Sequence, residues 1–153
     1  MLSGVEVSTR QGHFLVYGLP DLSEVPPGLS ISELVKVVKR HDAAIVAAHP
    51  FRWGQDFLAI LQEVGPVFDA LELVSNNVEP DCRLEVEKTA KAHPSMGLTG
   101  SSDAHEARFV GCYHSVFSHS IRSMPEFVAA LKTRSGRPGF CAERPLASGP
   151  VVF

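Results

Sequence analysis

The chain has 153 residues, 44% hydrophobic and 20% charged, with fourteen Lys and Arg against seventeen Asp and Glu and a formal net charge of -3. These values suit a single soluble domain over 1–153 and leave no basic excess for strong non-specific binding to nucleic acid. The longest apolar runs, such as Ala43 to Ala48, fall short of the roughly 18 to 20 residues of a membrane span.

Met1-Leu2-Ser3-Gly4 has neither the charged nor the apolar region of a signal peptide, so the expected location is cytoplasmic. Cys82, Cys112 and Cys141, an odd number without CxxC spacing, fit reduced thiols better than a disulfide framework.

Gly4 to Thr9 and His13 to Gly18 are β-branched and aromatic runs joined by Arg10-Gln11-Gly12, the pattern of a hairpin or of two neighbouring strands. A Pro-rich loop follows. Ser30 and Glu33 form a capping box ahead of Leu34, Val35 and Val38, which predicts a helix from Ile31 to His41. Ala43 to Ala48 is wholly apolar, as in a parallel strand covered on both faces, and ends at His49-Pro50.

The rhythm then repeats. A short helix is expected over Phe57 to Val64, a strand over Ala70 to Val74, an amphipathic helix over Glu79 to His93 and a strand over Met96 to Thr99. A loop after His105, a strand over Tyr113 to Phe117 and a helix over Met124 to Lys132 complete the pattern, with a loop-like tail containing Pro138, Pro145 and Pro150. Alternating strands and helices predict an α/β fold with a parallel sheet, open or curled. A complete eightfold barrel, at about 200 residues or more, does not fit.

Glu6 lies between Val5 and Val7, where a carboxylate either faces water or is compensated by hydrogen bonds, a cation or a metal. If the hairpin loop holds an even number of residues, such as Thr9 to Gly12, Glu6 and His13 share a face within reach of a common ion. His49 ends an apolar strand, at the position where parallel sheets place ligand sites, although a structural histidine bonded to a loop is the alternative. His93-Pro94, by contrast, ends an amphipathic helix and reads as surface. Asp103 and His105 follow the Met96 to Thr99 strand two residues apart, which in an extended segment points both side chains the same way. Together these are three groups of hard oxygen and imidazole donors at strand ends, as a divalent site requires.

Three further residues have two readings each, and a fourth has one. Arg52 either grips a substrate phosphate or sits on the surface at a helix start. Glu72 and Asn76 straddle a strand end in a supporting or substrate-contacting role, or a structural one. His41, at the negative end of a helix dipole, has a structural explanation.

Gly4 to Thr9 with Gly12 to Leu15, Ala47 to Arg52, Leu71-Glu72 with Asn76, and Gly100 to His105 resemble, in order, the motifs of the PHP (polymerase and histidinol phosphatase) superfamily. The resemblance extends from about Gly4 to Arg137. It implies part of a distorted (β/α)7 TIM-like barrel carrying up to three divalent metals, usually zinc, manganese or iron, and hydrolysing phosphate esters with a metal-activated water. Carried over by position, Glu6 bridges two metals, His13 and His49 are imidazole ligands of one of them, and Asp103 and His105 are catalytic-centre ligands of the others. Arg52 and Asn76 become substrate contacts.

The family's opening His-x-His is not in this sequence. The resemblance therefore implies a truncated chain or a degenerate member, impaired in turnover and holding at least one ion. The expected substrate is a phosphate-ester small molecule or a nucleotide. The rival reading is a non-catalytic metal-binding domain acting through self-association or a partner. Opening strands absent from the barrel would leave an exposed sheet edge, hence a homo-oligomer.

Overall fold

A computed structural model describes residues 2–142. Pro145 and Pro150 of the expected loop-like tail lie outside the described residues. Strands β1 (Gly4–Ser8), β2 (His13–Tyr17), β3 (Ala44–Ala47), β4 (Ala70–Val74) and β5 (Gly97–Gly100) form one sheet in that order. The β1–β2 and β2–β3 pairs are antiparallel, and β3–β4 and β4–β5 are parallel. The sheet is thus mixed rather than wholly parallel, because β1 and β2 are joined by a tight turn and not by a helical crossover.

Helices α1 (Ile31–Arg40), α2 (Phe57–Val64), α3 (Pro80–Ala92) and α4 (Met124–Lys132) follow the predicted pattern. At the start of α1, the Glu33 N–H donates to Ser30 Oγ at 3.3 Å, and the Ser30 N–H donates to Glu33 Oε2 at 2.8 Å. This satisfies two backbone donors that a helix start otherwise leaves open. The helix stops at Arg40, and His41 Nε2 lies 2.8 Å from Glu24 Oε1.

Alternation along β3 divides the core. Ile45 and Ala47 face α1 and α2, with Phe14, Phe57 and Phe68 in ring contact at 5.3 to 5.4 Å. Ala44 and Val46 face the opposite way, against Val128 and Leu131 of α4. Burial on both faces explains why β3 is apolar throughout.

Beyond β5 stand β6 (Tyr113–Phe117) and β7 (Gly136–Phe140), an antiparallel pair. The β7 strand replaces the loop expected around Pro138. Proline lacks an N–H, and this pair tolerates it as an edge strand does, with Pro138 opposite Ser115. Ser115 also links the pair to β5, since its hydroxyl donates to the Gly100 carbonyl at 2.9 Å. A side chain at Gly100 would meet the His114 carbonyl oxygen at 2.7 Å, so this approach requires glycine.

Asp69 joins two strands by accepting the Ile45 N–H at 2.8 Å. Burial raises its pKa above the ordinary 3.8, aided by the Asp42 charge and opposed by the Ile45 N–H and Lys132. From 3.8 up to the shifted value the unfolded chain releases a proton that the folded chain retains, so this group lowers stability as pH rises through that window. Asp69→Asn keeps an acceptor without the charge. Urea unfolding from pH 3.5 to 7 is expected to show the variant gaining stability relative to wild type as pH rises, and a constant difference would contradict this origin.

Candidate metal centre

The turn Thr9–Gly12 is closed by the Thr9 N–H and hydroxyl, which donate to the Gly12 carbonyl at 2.9 and 2.7 Å. The resulting register pairs Glu6 with Leu15 and Ser8 with His13. With side chains alternating along each strand, Glu6 and His13 occupy one face. His13 Nδ1 lies 2.9 Å from Glu6 Oε1.

His49 reaches the same carboxylate oxygen from the end of β3, with Nε2 at 3.6 Å. Its backbone has a φ of 30°, and its N–H donates to Glu72 Oε2 at 2.8 Å. The two imidazole rings meet edge-on, 5.2 Å apart. One donor atom from each of Glu6, His13 and His49 falls within 4.8 Å of the others.

The trio fits a divalent cation on its own chemistry. Nδ1 of His13 and Nδ1 of His49 are buried without a hydrogen-bond partner, the former being close to Glu6 but poorly aligned with it. Buried polar atoms are ordinarily satisfied, and His13 Nδ1 with His49 Nε2, both facing one oxygen of Glu6, suits an ion that accepts imidazole lone pairs. Glu6 is held below its ordinary pKa, chiefly by His49 against partial burial, with His13 adding to the effect. Burial opposes the charged form of His49, but Glu6, Glu72 and Asp103 outweigh it and raise its pKa.

A cavity of about 160 Å³ adjoins the trio, lined by Glu6, His49, Glu72, Ser101 and Asp103 among others. Glu72 is 1% exposed, and burial pushes its pKa up to about 7 against the bonds from the Ser101 hydroxyl and the His49 N–H. Desolvation also raises Tyr17 to about 12, with Glu72 and Glu6 contributing.

Asp103 lines this cavity, but the Asp103-Ala104-His105 segment is not extended. Asp103 has a φ of 42°, and the His105 ring turns back to lie 3.0 Å from the Asp103 carbonyl. The extended backbone on which the expected shared direction rests is therefore absent. Among the described residues the close donor group comprises Glu6, His13 and His49, without Asp103 or His105.

Arg52 donates to Asn77 Oδ1 at 2.9 Å and lies 3.8 Å from Asp103 Oδ2. Asn77 also donates to the Asp103 carboxylate. Asn77 is thus the residue that sequence reasoning missed, and its only signal is its place in Ser75-Asn76-Asn77 after a buried strand. Asn76 donates to the Ser102 carbonyl at 2.7 Å and accepts the Cys112 thiol at 3.4 Å, tying two loops together.

Known structures share this fold. A two-domain protein of Bacteroides vulgatus containing a predicted PHP-like metal-dependent phosphoesterase aligns over 90% of this chain and 43% of its own, at 17% identity and a TM-score of 0.68. A lesion-specific endonuclease of Pyrococcus furiosus aligns over 85% of this chain and 38% of its own, at 23% identity and a TM-score of 0.63. The chain thus spans less than half the length of either protein. No curated protein matches it. The family model described as PHP-associated matches residues 88–135, from within α3 to just past α4. The chain thus shares its fold with proteins of PHP type, and one stretch of it, from within α3 to just past α4, matches the PHP-associated family.

Proposed function

We propose that the chain is a metal-dependent phosphoesterase of PHP type, a hydrolase whose ion is held by Glu6, His13 and His49. The observation that carries this reading is the meeting of one carboxylate and two imidazoles, with one donor atom from each within 4.8 Å of the others. A bound divalent ion, whether zinc, manganese or iron, supplies Lewis-acid polarisation of a phosphoryl oxygen and of the attacking water. Glu6 faces both imidazoles and balances the ion's charge. Asp103 and His105 serve as ligands for further ions in this reading, and Asn77 fixes the Asp103 carboxylate. Arg52 and Asn76 belong to the substrate side, with Arg52 offering a planar cation to phosphate oxygens. The α/β sheet is, in the same reading, one part of a distorted (β/α)7 barrel, and 1–153 a single PHP-like domain.

A second reading is a degenerate domain that binds metal without turnover. It is favoured by a close donor group that, among the described residues, includes neither Asp103 nor His105, because two-metal hydrolysis needs ligands for two ions about 3.5 to 4 Å apart. Elemental analysis of the purified chain is expected to find about one divalent ion per molecule, by the one-ion capacity of a three-donor set. His49→Ala should lose most of it. Metal-free wild type, or unchanged loading in the variant, would overturn the site.

Turnover separates the two readings. With manganese, hydrolysis of p-nitrophenyl phosphate is expected to be slow and to fall about a hundredfold in Asp103→Ala, the low end of what a positioned catalytic group contributes. The variant should keep the ion at Glu6, His13 and His49. Rates insensitive to Glu6→Ala and Asp103→Ala would refute the phosphoesterase reading, and no turnover by metal-loaded protein would favour the second.

Self-association belongs to both readings. Strand β1 is an edge of the described sheet, with Gly4, Glu6 and Ser8 exposed, and unpaired edges invite partners. Sedimentation is expected to find a homodimer or larger species, and a stable monomer would contradict it.

A further inference from the structure

The loop after β3 spends conformational strain on presenting one side chain. Between His49 and Gly54, positive φ angles occur at His49 (30°), Phe51 (70°), Trp53 (55°) and Gly54 (75°). For bulky aromatic residues this region is a genuine outlier, and such strain concentrates at ligand contacts and functional sites. Its product is Trp53, 79% exposed. The guanidinium of Arg52 covers one ring face, with Cζ 3.7 Å from the ring centroid. An indole this exposed, with one face occupied by a cation, has its other face in solvent.

The position of the ring gives that face a use. Arg52 and Trp53 form the wall between two hollows of about 300 and 350 Å³. The first contains Arg10, Gln11, His13 and His49 and opens directly onto the candidate metal centre, while the second contains Asn76 and Asn77. Trp53 lies 6.5 Å from the His49 ring, centroid to centroid. A nucleotide spans such a distance between its base and its phosphate. Every nucleobase has a π-face that stacks on an aromatic ring, and the Arg52 cation beneath the indole adds to the attraction.

We propose that Trp53 is the stacking platform for the base of a nucleotide whose phosphate lies at Glu6, His13 and His49. The phosphate end rests on the phosphoesterase reading, whereas the base end rests on Trp53 alone. Arg52 then serves both ends, backing the indole and contributing positive charge beside the phosphate.

Trp53 is the only tryptophan in the chain, so intrinsic fluorescence reports on this ring alone. In zinc-loaded protein, adenosine 5′-monophosphate is expected to quench it saturably and ribose 5-phosphate to leave it unchanged. Calorimetry should show the nucleotide binding at least about fivefold more tightly than the sugar phosphate, the low end of the contribution of one stacked base. Trp53→Ala should abolish that preference and Trp53→Phe retain most of it, with circular dichroism confirming that both variants fold. Equal affinity for the two ligands, or a preference that survives Trp53→Ala, would overturn the proposal. If adenosine quenches as well as the monophosphate and Glu6→Ala changes neither, the base platform stands and the phosphate reading of the metal centre fails.

Discussion

The Glu72 carboxylate ties together the strand ends from which the centre is built. It is almost completely buried, accepts the His49 N–H at the end of β3 and the Ser101 hydroxyl after β5, and belongs itself to β4. Three parallel strands thus share one acceptor group. A buried carboxylate is costly unless bonded, and here two donors from neighbouring strands compensate it. The bond to His49 also turns the backbone where the chain leaves the sheet, which brings the imidazole back toward Glu6. Without it, the left-handed conformation of His49 would have no counterweight.

The sheet's two faces account for where polar groups collect. Leu15, Tyr17, Val46 and Ala70 lie on the face covered by α4, where Tyr17 meets Phe127 at 4.8 Å. By strand alternation, Glu6, His13 and Glu72 belong to that same face, displaced toward the end that also receives His49. Apolar packing and the donor cluster thus divide one surface. This division keeps the cluster partly dry, and it explains why neighbouring carboxylates behave oppositely, Glu6 lowered by imidazoles and Glu72 raised by burial.

Much of this was legible in the sequence because it depends on local rules. The α2 and α4 helices and the β4 and β6 strands occupy their predicted spans, and the capping box fixed the start of α1. The shared face of Glu6 and His13 followed from an even turn, and the exit position of His49 followed from an apolar strand ending at proline. Hidden from local rules was β7, since Pro138 and two glycines argue for a loop until β6 is present to pair with them. Also hidden was the backbone at Asp103, where a positive φ breaks the extended, two-residue periodicity expected through His105.

The strained loop and the donor trio are connected by more than proximity. His49 begins a series of positive φ angles that passes through Phe51 and Trp53 to Gly54, so one short segment carries an imidazole toward Glu6 and an indole outward. Asn77 holds the guanidinium of Arg52 from the end of β4, which limits how far the loop can relax. The same asparagine holds Asp103 after β5. Ordering in this region therefore comes from two polar crosslinks, Glu72 beneath the loop and Asn77 beside it. Packing alone would not suffice, because Trp53 itself contributes little burial. The exposed ring is positioned by its backbone and by a cation already fixed from below, which is the arrangement a rigid surface for a planar ligand requires.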